Sequence, residues 1–257
     1  MNDFDLRDLL LAGVRWELTD MPTAMAAAAR AATVSNDDVP ASGVQSRTQT
    51  AIVPPIAPQQ AVSVETAVAM AARPGNIDAL MRMISEFNHP LRGGATNVVL
   101  PHIAQNPNGL VVVTDIPSGD DDECGRILSG AAGELFDKML AAIGMSRERV
   151  SIVPMVFWRT PGGRTPTADE LKLARPFMDR IMDFLHPKFI LTLGTLAATE
   201  IIGATLPRAH GMTTVLANGA TAMPIYHPNY LMLKPVAKRD AWNALQTVQN
   251  LLNSPDK

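Results

Sequence analysis

From residue 110 onward the hydrophobic positions alternate between two patterns. Leu110-Val111-Val112-Val113 and Phe189-Ile190-Leu191-Thr192-Leu193 are near-continuous apolar runs, which suit strands buried on both faces. Val150–Phe157 reads as another strand and Met223–Tyr226 as a fourth, short one. Between them the period lengthens to that of a helix. Ala131–Ile143 carries Leu135, Phe136, Met139 and Leu140 on one side and is closed by Gly144. Ala168–Leu185 is a long amphipathic helix stopped by His186-Pro187. Further helices are predicted from Gly194 to Ile202 and from Val236 to Leu252. Strands alternating with helices predict an α/β fold, a parallel sheet covered on both faces.

The first third reads differently. Phe4, Leu6, Leu9, Leu10 and Val14 recur at helical spacing and predict a short helix within residues 1–21. Asn76 is a suitable N-cap for a helix running through Ile77, Leu80, Met81 and Ile84 to Phe87. Between Trp16 and Phe87 there is no aromatic residue, and Pro22–Arg73 is mainly Ala, Val, Thr, Ser, Gln and Pro. Such a segment lacks the bulk to offset ordering entropy, so residues 22–75 are expected to be a flexible linker ahead of a domain over 76–257.

Composition narrows the function. The chain has 257 residues, 47% of them hydrophobic and 18% charged, enough apolar content for a sizeable core. A net charge of −3 excludes a globally basic nucleic-acid coat. Residues 159–257 nevertheless hold 11 Lys/Arg against 7 Asp/Glu, whereas both earlier segments are net acidic. That leaves room for a local anion-binding face. The single cysteine, Cys124, allows neither an internal disulfide nor a multi-cysteine metal site. No apolar run of membrane-spanning length occurs, and an acidic N-terminus argues against a signal peptide. A cytoplasmic protein is expected.

Ligands of parallel sheets bind at the carboxyl ends of the strands. Four loops therefore carry the candidate chemistry: 114–130, 158–167, 194–195 and 227–234. Asp115 directly follows a buried strand and has the carboxylate to activate water or stabilise a cation. The acids Asp120 to Glu123 lack the calcium-loop spacing and read as a solvated acidic loop. Arg159 and Arg164, with nearby hydroxyls and two Pro-flanked glycines, are groups that bind phosphate oxygens; Thr167 and Glu170 form a capping box for the following helix. His227 ends a strand and is placed to act as an acid or hydrogen-bond donor, and the apolar run after Tyr230 can wedge between stacked bases.

Taken in order, these loops resemble the uracil-DNA glycosylase superfamily, in particular its bacterial iron–sulfur branch. The family's Gly-Glu-Ala-Pro-Gly motif appears as Thr114-Asp115-Ile116-Pro117-Ser118, followed by Gly125-Arg126-Ile127-Leu128-Ser129-Gly130. Arg159-Thr160-Pro161-Gly162-Gly163-Arg164-Thr165-Pro166 is similar to its Arg-Pro-Pro-Gly-Asn-Arg-x-Pro stretch. Pro187-Lys188 through Leu193-Gly194 and Tyr226-His227-Pro228-Asn229-Tyr230-Leu231 resemble its last two motifs. The resemblance implies a three-layer α/β/α sandwich around a four-stranded parallel sheet. It implies DNA as partner, a monomer, a nucleoid-associated location, and a base-excising activity with Asp115 and His227 as catalytic groups. Ile116, Pro117, Leu128, Pro154 and Asn229 would line the base pocket, and Arg159, Arg164, Tyr230 and Leu231 would contact DNA. A protein partner would be met through the N-terminal helix.

The departures are specific. The branch's cluster needs four cysteines, and this chain has His89, Trp158 and Ala174 at three of those positions, so no cofactor and no metal is expected. The base-stacking aromatic falls at Leu128, and the asparagine that reads the base edge falls at Pro154. Three function classes follow: a DNA glycosylase, a non-catalytic DNA- or protein-binding descendant, and, more distantly, a nucleotide-binding or phosphate-transfer enzyme lacking the usual phosphate loop.

Overall fold

The computed structural model describes residues 62–253. The predicted helix over Phe4–Val14 and the linker up to residue 61 lie outside them. The last part of the expected linker is ordered, which corrects its boundary: α1 (Val64–Ala72) is a helix, N-capped by Ser63 through Thr66 N–H. Its buried residues are Ala67 and Ala71, and small side chains let it lie close against a later helix. α2 (Ile77–Glu86) begins at Asn76, whose Oδ1 accepts from Ala79 N at 2.9 Å, and buries Leu80 and Ile84.

From there strands and helices alternate. β1 (Leu110–Thr114) is followed by α3 (Gly119–Cys124) and α4 (Gly130–Ala142). β2 (Ser151–Pro154) leads to α5 (Ala168–Leu185), and β3 (Phe189–Leu193) to α6 (Thr195–Ile202). β4 (Thr214–Val215) and β5 (Thr221–Ile225) precede α7 (Pro228–Leu233) and α8 (Lys238–Asn253). The strand order is β2-β1-β3-β5-β4, with β4 antiparallel to β5 and every other pairing parallel. The sheet thus has five strands rather than the four expected, the extra one being a two-residue exposed edge. The second strand stops at Pro154, three residues short of the expected Phe157, because Met155 N turns to donate to the carbonyls of both Thr114 and Asp115 at 3.0 Å.

Side-chain alternation divides the interior in two. Val111, Val113, Val153, Ile190 and Ala222 face one side and meet α1, α2, α5 and α6. Leu110, Val112, Ile152, Leu191, Leu193, Met223 and Ile225 face the other and meet α4, α7 and α8. The result is a three-layer α/β/α sandwich. On this alternation Thr114 belongs to the second face, while Asp115, one residue on, is turned towards the first.

Candidate active site at the strand ends

His227 is the N-cap of α7, and its Nδ1 accepts from Asn229 N at 3.2 Å. Burial holds its pKa down to about 4, so the imidazole is neutral at physiological pH. A neutral ring with Nδ1 as acceptor carries its proton on Nε2. That nitrogen lies 3.2 Å from Thr114 Oγ1, linking the ends of β5 and β1 across the intervening β3. The site therefore presents one fixed N–H donor.

Asp115 answers to a different element. Its Oδ1 accepts from Ala197 N at 2.8 Å, and the Thr195 and Leu196 amides also stabilise its charge, so it caps the N-terminus of α6. The ordinary N-cap position is Gly194 at φ +103, which has no side chain to offer. A Cβ there would lie 2.2 Å from Asp115 Oδ2, so the glycine is what lets the carboxylate in. Burial raises the Asp115 pKa from 3.8 to about 7 despite these amides.

The base-pocket positions divide. Pro154 pairs with Thr114 on β2, an edge strand where a missing N–H is tolerated, and it is buried at the site. Asn229 serves through its backbone as the partner of His227, while Ile116 and Pro117 continue from Asp115 along the same loop, Ile116 packing on the first core. Leu128 is instead 2% exposed within the second core, at φ +51. Arg147 clamps it there, donating to the carbonyls of Ile127 at 2.9 Å and Leu128 at 2.5 Å. Its side chain packs the interior and does not form an open stacking surface.

The expected DNA contacts divide too. Arg159 is half-buried beside Gly119, with no hydrogen-bond or ion-pair partner among the described residues. Arg164 is committed elsewhere: its two terminal nitrogens pair with Glu170 Oε2 and Oε1 at 2.8 and 2.6 Å. That bond holds Glu170 at a pKa of about 2, and Glu170 also accepts from Thr167 N, completing the capping box of α5. Arg164 thus supports a helix start. Leu231 is 1% exposed and also belongs to the core, so the accessible apolar side chain of this run is Met232. Once Pro228 starts a helix, the 3.6-residue period turns Leu231 inward; the signal was that proline. Tyr230 packs on Tyr226, ring centroids 4.7 Å apart and planes tilted by 31°, and remains half-buried.

The acidic run lies on α3 rather than in a loop, with Asp120 and Glu123 exposed but the two acids between them turned inward. Asp121 completes a capping box with Ser118 and accepts from Ser129 N at 2.7 Å, while Asp122 accepts from the amides of Thr96 and Asn97. Both are buried and spent on backbone donors, with the Ser129 hydroxyl added for Asp121.

The positions matching iron–sulfur ligands do not suit such a group. His89 stacks on Trp158 with centroids 4.6 Å apart and planes 7° from parallel. Its Nδ1 accepts from Leu91 N and its Nε2 bonds the Glu170 carbonyl, so both nitrogens are occupied. Trp158 and Ala174 are 0% exposed in the first core. Rings and methyls hold this region together. A groove of about 980 Å³, lined mainly by α1, α5 and α6, contains none of Thr114, Asp115 or His227.

Comparison with known proteins identifies the family. The profile described as the Uracil DNA glycosylase superfamily matches residues 101–246. The chain is similar to the type-4 uracil-DNA glycosylase of Archaeoglobus fulgidus, 30% identical over 154 residues that make up 56% of this chain and 77% of that protein. The protein of the same name from Thermotoga maritima is 30% identical over 163 residues, 60% of this chain and 84% of the relative. That from Sulfurisphaera tokodaii is 27% identical over 158 residues, 58% and 72% of the two chains.

Proposed function

Since the chain belongs to the uracil DNA glycosylase superfamily, we propose that it is a DNA N-glycosylase that excises uracil or another damaged base from DNA, as in base excision repair. The observation that carries this reading is the neutral His227 with its Nε2–H fixed at the end of β5, opposite the carboxylate-bearing end of β1.

The flipped nucleotide enters between these strand ends. As the N-glycosidic bond breaks, its electron pair leaves with the base, and His227 Nε2–H hydrogen-bonds the developing anion without giving up its proton. A neutral imidazole suits this role, since burial opposes its charging. Asp115, when ionised, stabilises the oxocarbenium-like sugar and orients a water. The water's oxygen bonds to C1′, one of its protons passes to Asp115, and the base anion is protonated by solvent. Arg159 contacts a backbone phosphate, and Met232 and Tyr230 lie against the DNA.

A second reading, a DNA-binding protein without turnover, draws on one feature: the Asp115 carboxylate and the His227 donor are both satisfied inside the protein. A uracil-containing oligonucleotide followed by alkaline cleavage separates the two. The expected result is excision that rises with pH as Asp115 ionises, levels off above about 7, and is lost in Asp115→Asn with DNA binding retained. Binding without excision at any pH supports the second reading.

A further inference from the structure

One side chain already holds the donor that the glycosylase reading assigns to the departing base. Thr114 closes β1, is 1% exposed, and shares the second face of the sheet with Leu193 and Ile225. Its Oγ1 is the acceptor nearest the one proton of His227, at 3.2 Å. A single N–H makes one good hydrogen bond, so Thr114 and the carbonyl of an incoming base compete for it. Thr114 has little freedom to step aside. Its strand position is fixed by pairing with Pro154 on one side and Leu193 on the other, its carbonyl accepts from Met155 N at 3.0 Å, and a β-branched side chain is stiff at χ1.

We propose that Thr114 is a specificity-determining residue of this site: its hydroxyl occupies the donor of His227 in the empty pocket, and a base binds productively only by displacing it. The inference rests on the glycosylase reading. A neutral carbonyl gains little by exchanging one neutral hydrogen bond for another. A base leaving as an anion makes a charge-assisted bond, about twice as strong as the neutral one it replaces. Thr114 therefore weakens the initial binding of every flipped base and leaves the departure step favourable for bases that form stable anions. Pyrimidine diones, uracil among them, are the substrate class that fits.

The test measures binding of the full chain to an oligonucleotide carrying 2′-fluoro-2′-deoxyuridine, whose glycosidic bond resists hydrolysis, against the same strand with an undamaged base. Thr114→Val keeps the volume and removes the hydroxyl. It is expected to tighten binding of the uracil strand about three- to tenfold, the range for one net hydrogen bond, and to leave unaffected the undamaged strand, whose base stays stacked and does not reach His227. Thr114→Ala should do the same, which covers a fold defect in either variant, and Thr114→Ser should bring the affinity back down. Unchanged or weaker uracil binding in Val and Ala overturns the proposal, as does equal tightening on both strands or an effect in Ala alone, which assigns it to volume. Failure of the glycosylase reading registers separately, as the absence of excision from ordinary deoxyuridine while the affinity shift persists.

Discussion

Leu128 and Pro154 occupy equivalent places in the family resemblance, yet the structure gives them opposite prospects for substitution. Pro154 ends an edge strand, so Asn there restores an N–H and an amide without a ladder to disrupt. Pro154→Asn is expected to raise uracil excision in the alkaline-cleavage assay, with little change in melting temperature. Leu128 sits at positive φ inside a filled core, pinned by Arg147. Leu128→Phe should overpack that core at a cost of about 1–3 kcal/mol, visible as a lower midpoint in urea. Excision gained by Leu128→Phe at unchanged stability contradicts this placement. The site was legible where chemistry coincides with a strand end, as at Asp115 and His227. The contact between Thr114 and His227 was not, because it joins residues 113 apart in sequence and depends on β3 lying between them.

Elements were legible in proportion to the apolar bulk they bury. β1 and β3 announce themselves as continuous apolar runs, and α5 as a long stripe that ends in Leu173, Phe177, Met178 and Ile181 against the sheet. α1 did not, because its buried face is two alanines, which carry no pattern distinguishable from an Ala-rich linker. β4 has two exposed residues and exists only as an addition to β5. The loop before α5 shows how one element separates two similar residues. Arg164 is tied into the helix start, whereas Arg159 is not. Arg159→Ala should therefore lower DNA affinity and reduce the salt slope by about one unit, the loss expected per phosphate contact. Arg164→Ala should leave the slope alone and lower the melting temperature, since it removes the ion pair that supports Glu170 in the capping box. Equal salt slopes in Arg159→Ala and wild type would falsify this division.

At the scale of the whole molecule, the two proposed catalytic groups pull stability in opposite directions as pH changes. Asp115 has a folded pKa of about 7 against an ordinary 3.8, so between these values the folded chain binds more protons than the unfolded one and stability falls as pH rises. His227, at about 4 against 6.5, does the reverse: the unfolded chain binds more protons there, and stability rises with pH up to 6.5. In wild type the two contributions largely cancel between pH 4 and 6.5. Asp115→Asn removes one of them, so urea midpoints of that variant should climb over this interval more steeply than those of wild type. Parallel pH curves would show that the Asp115 carboxyl is not held at a raised pKa.

The ring stack of His89 on Trp158 has an optical consequence. Trp158 is fully buried, its indole nitrogen has no hydrogen-bond partner, and burial keeps the neighbouring imidazole neutral by lowering its pKa. An indole in so dry a setting emits at short wavelength, and a protonated imidazole would quench it. The other tryptophans are Trp16 and Trp242, and replacing both leaves Trp158 as the sole emitter. Its light then reports on the first core alone: blue and bright while the stack holds, red-shifted and dimmed once water reaches the ring. The chain carries its own gauge of whether that half of the sandwich opens when DNA is added.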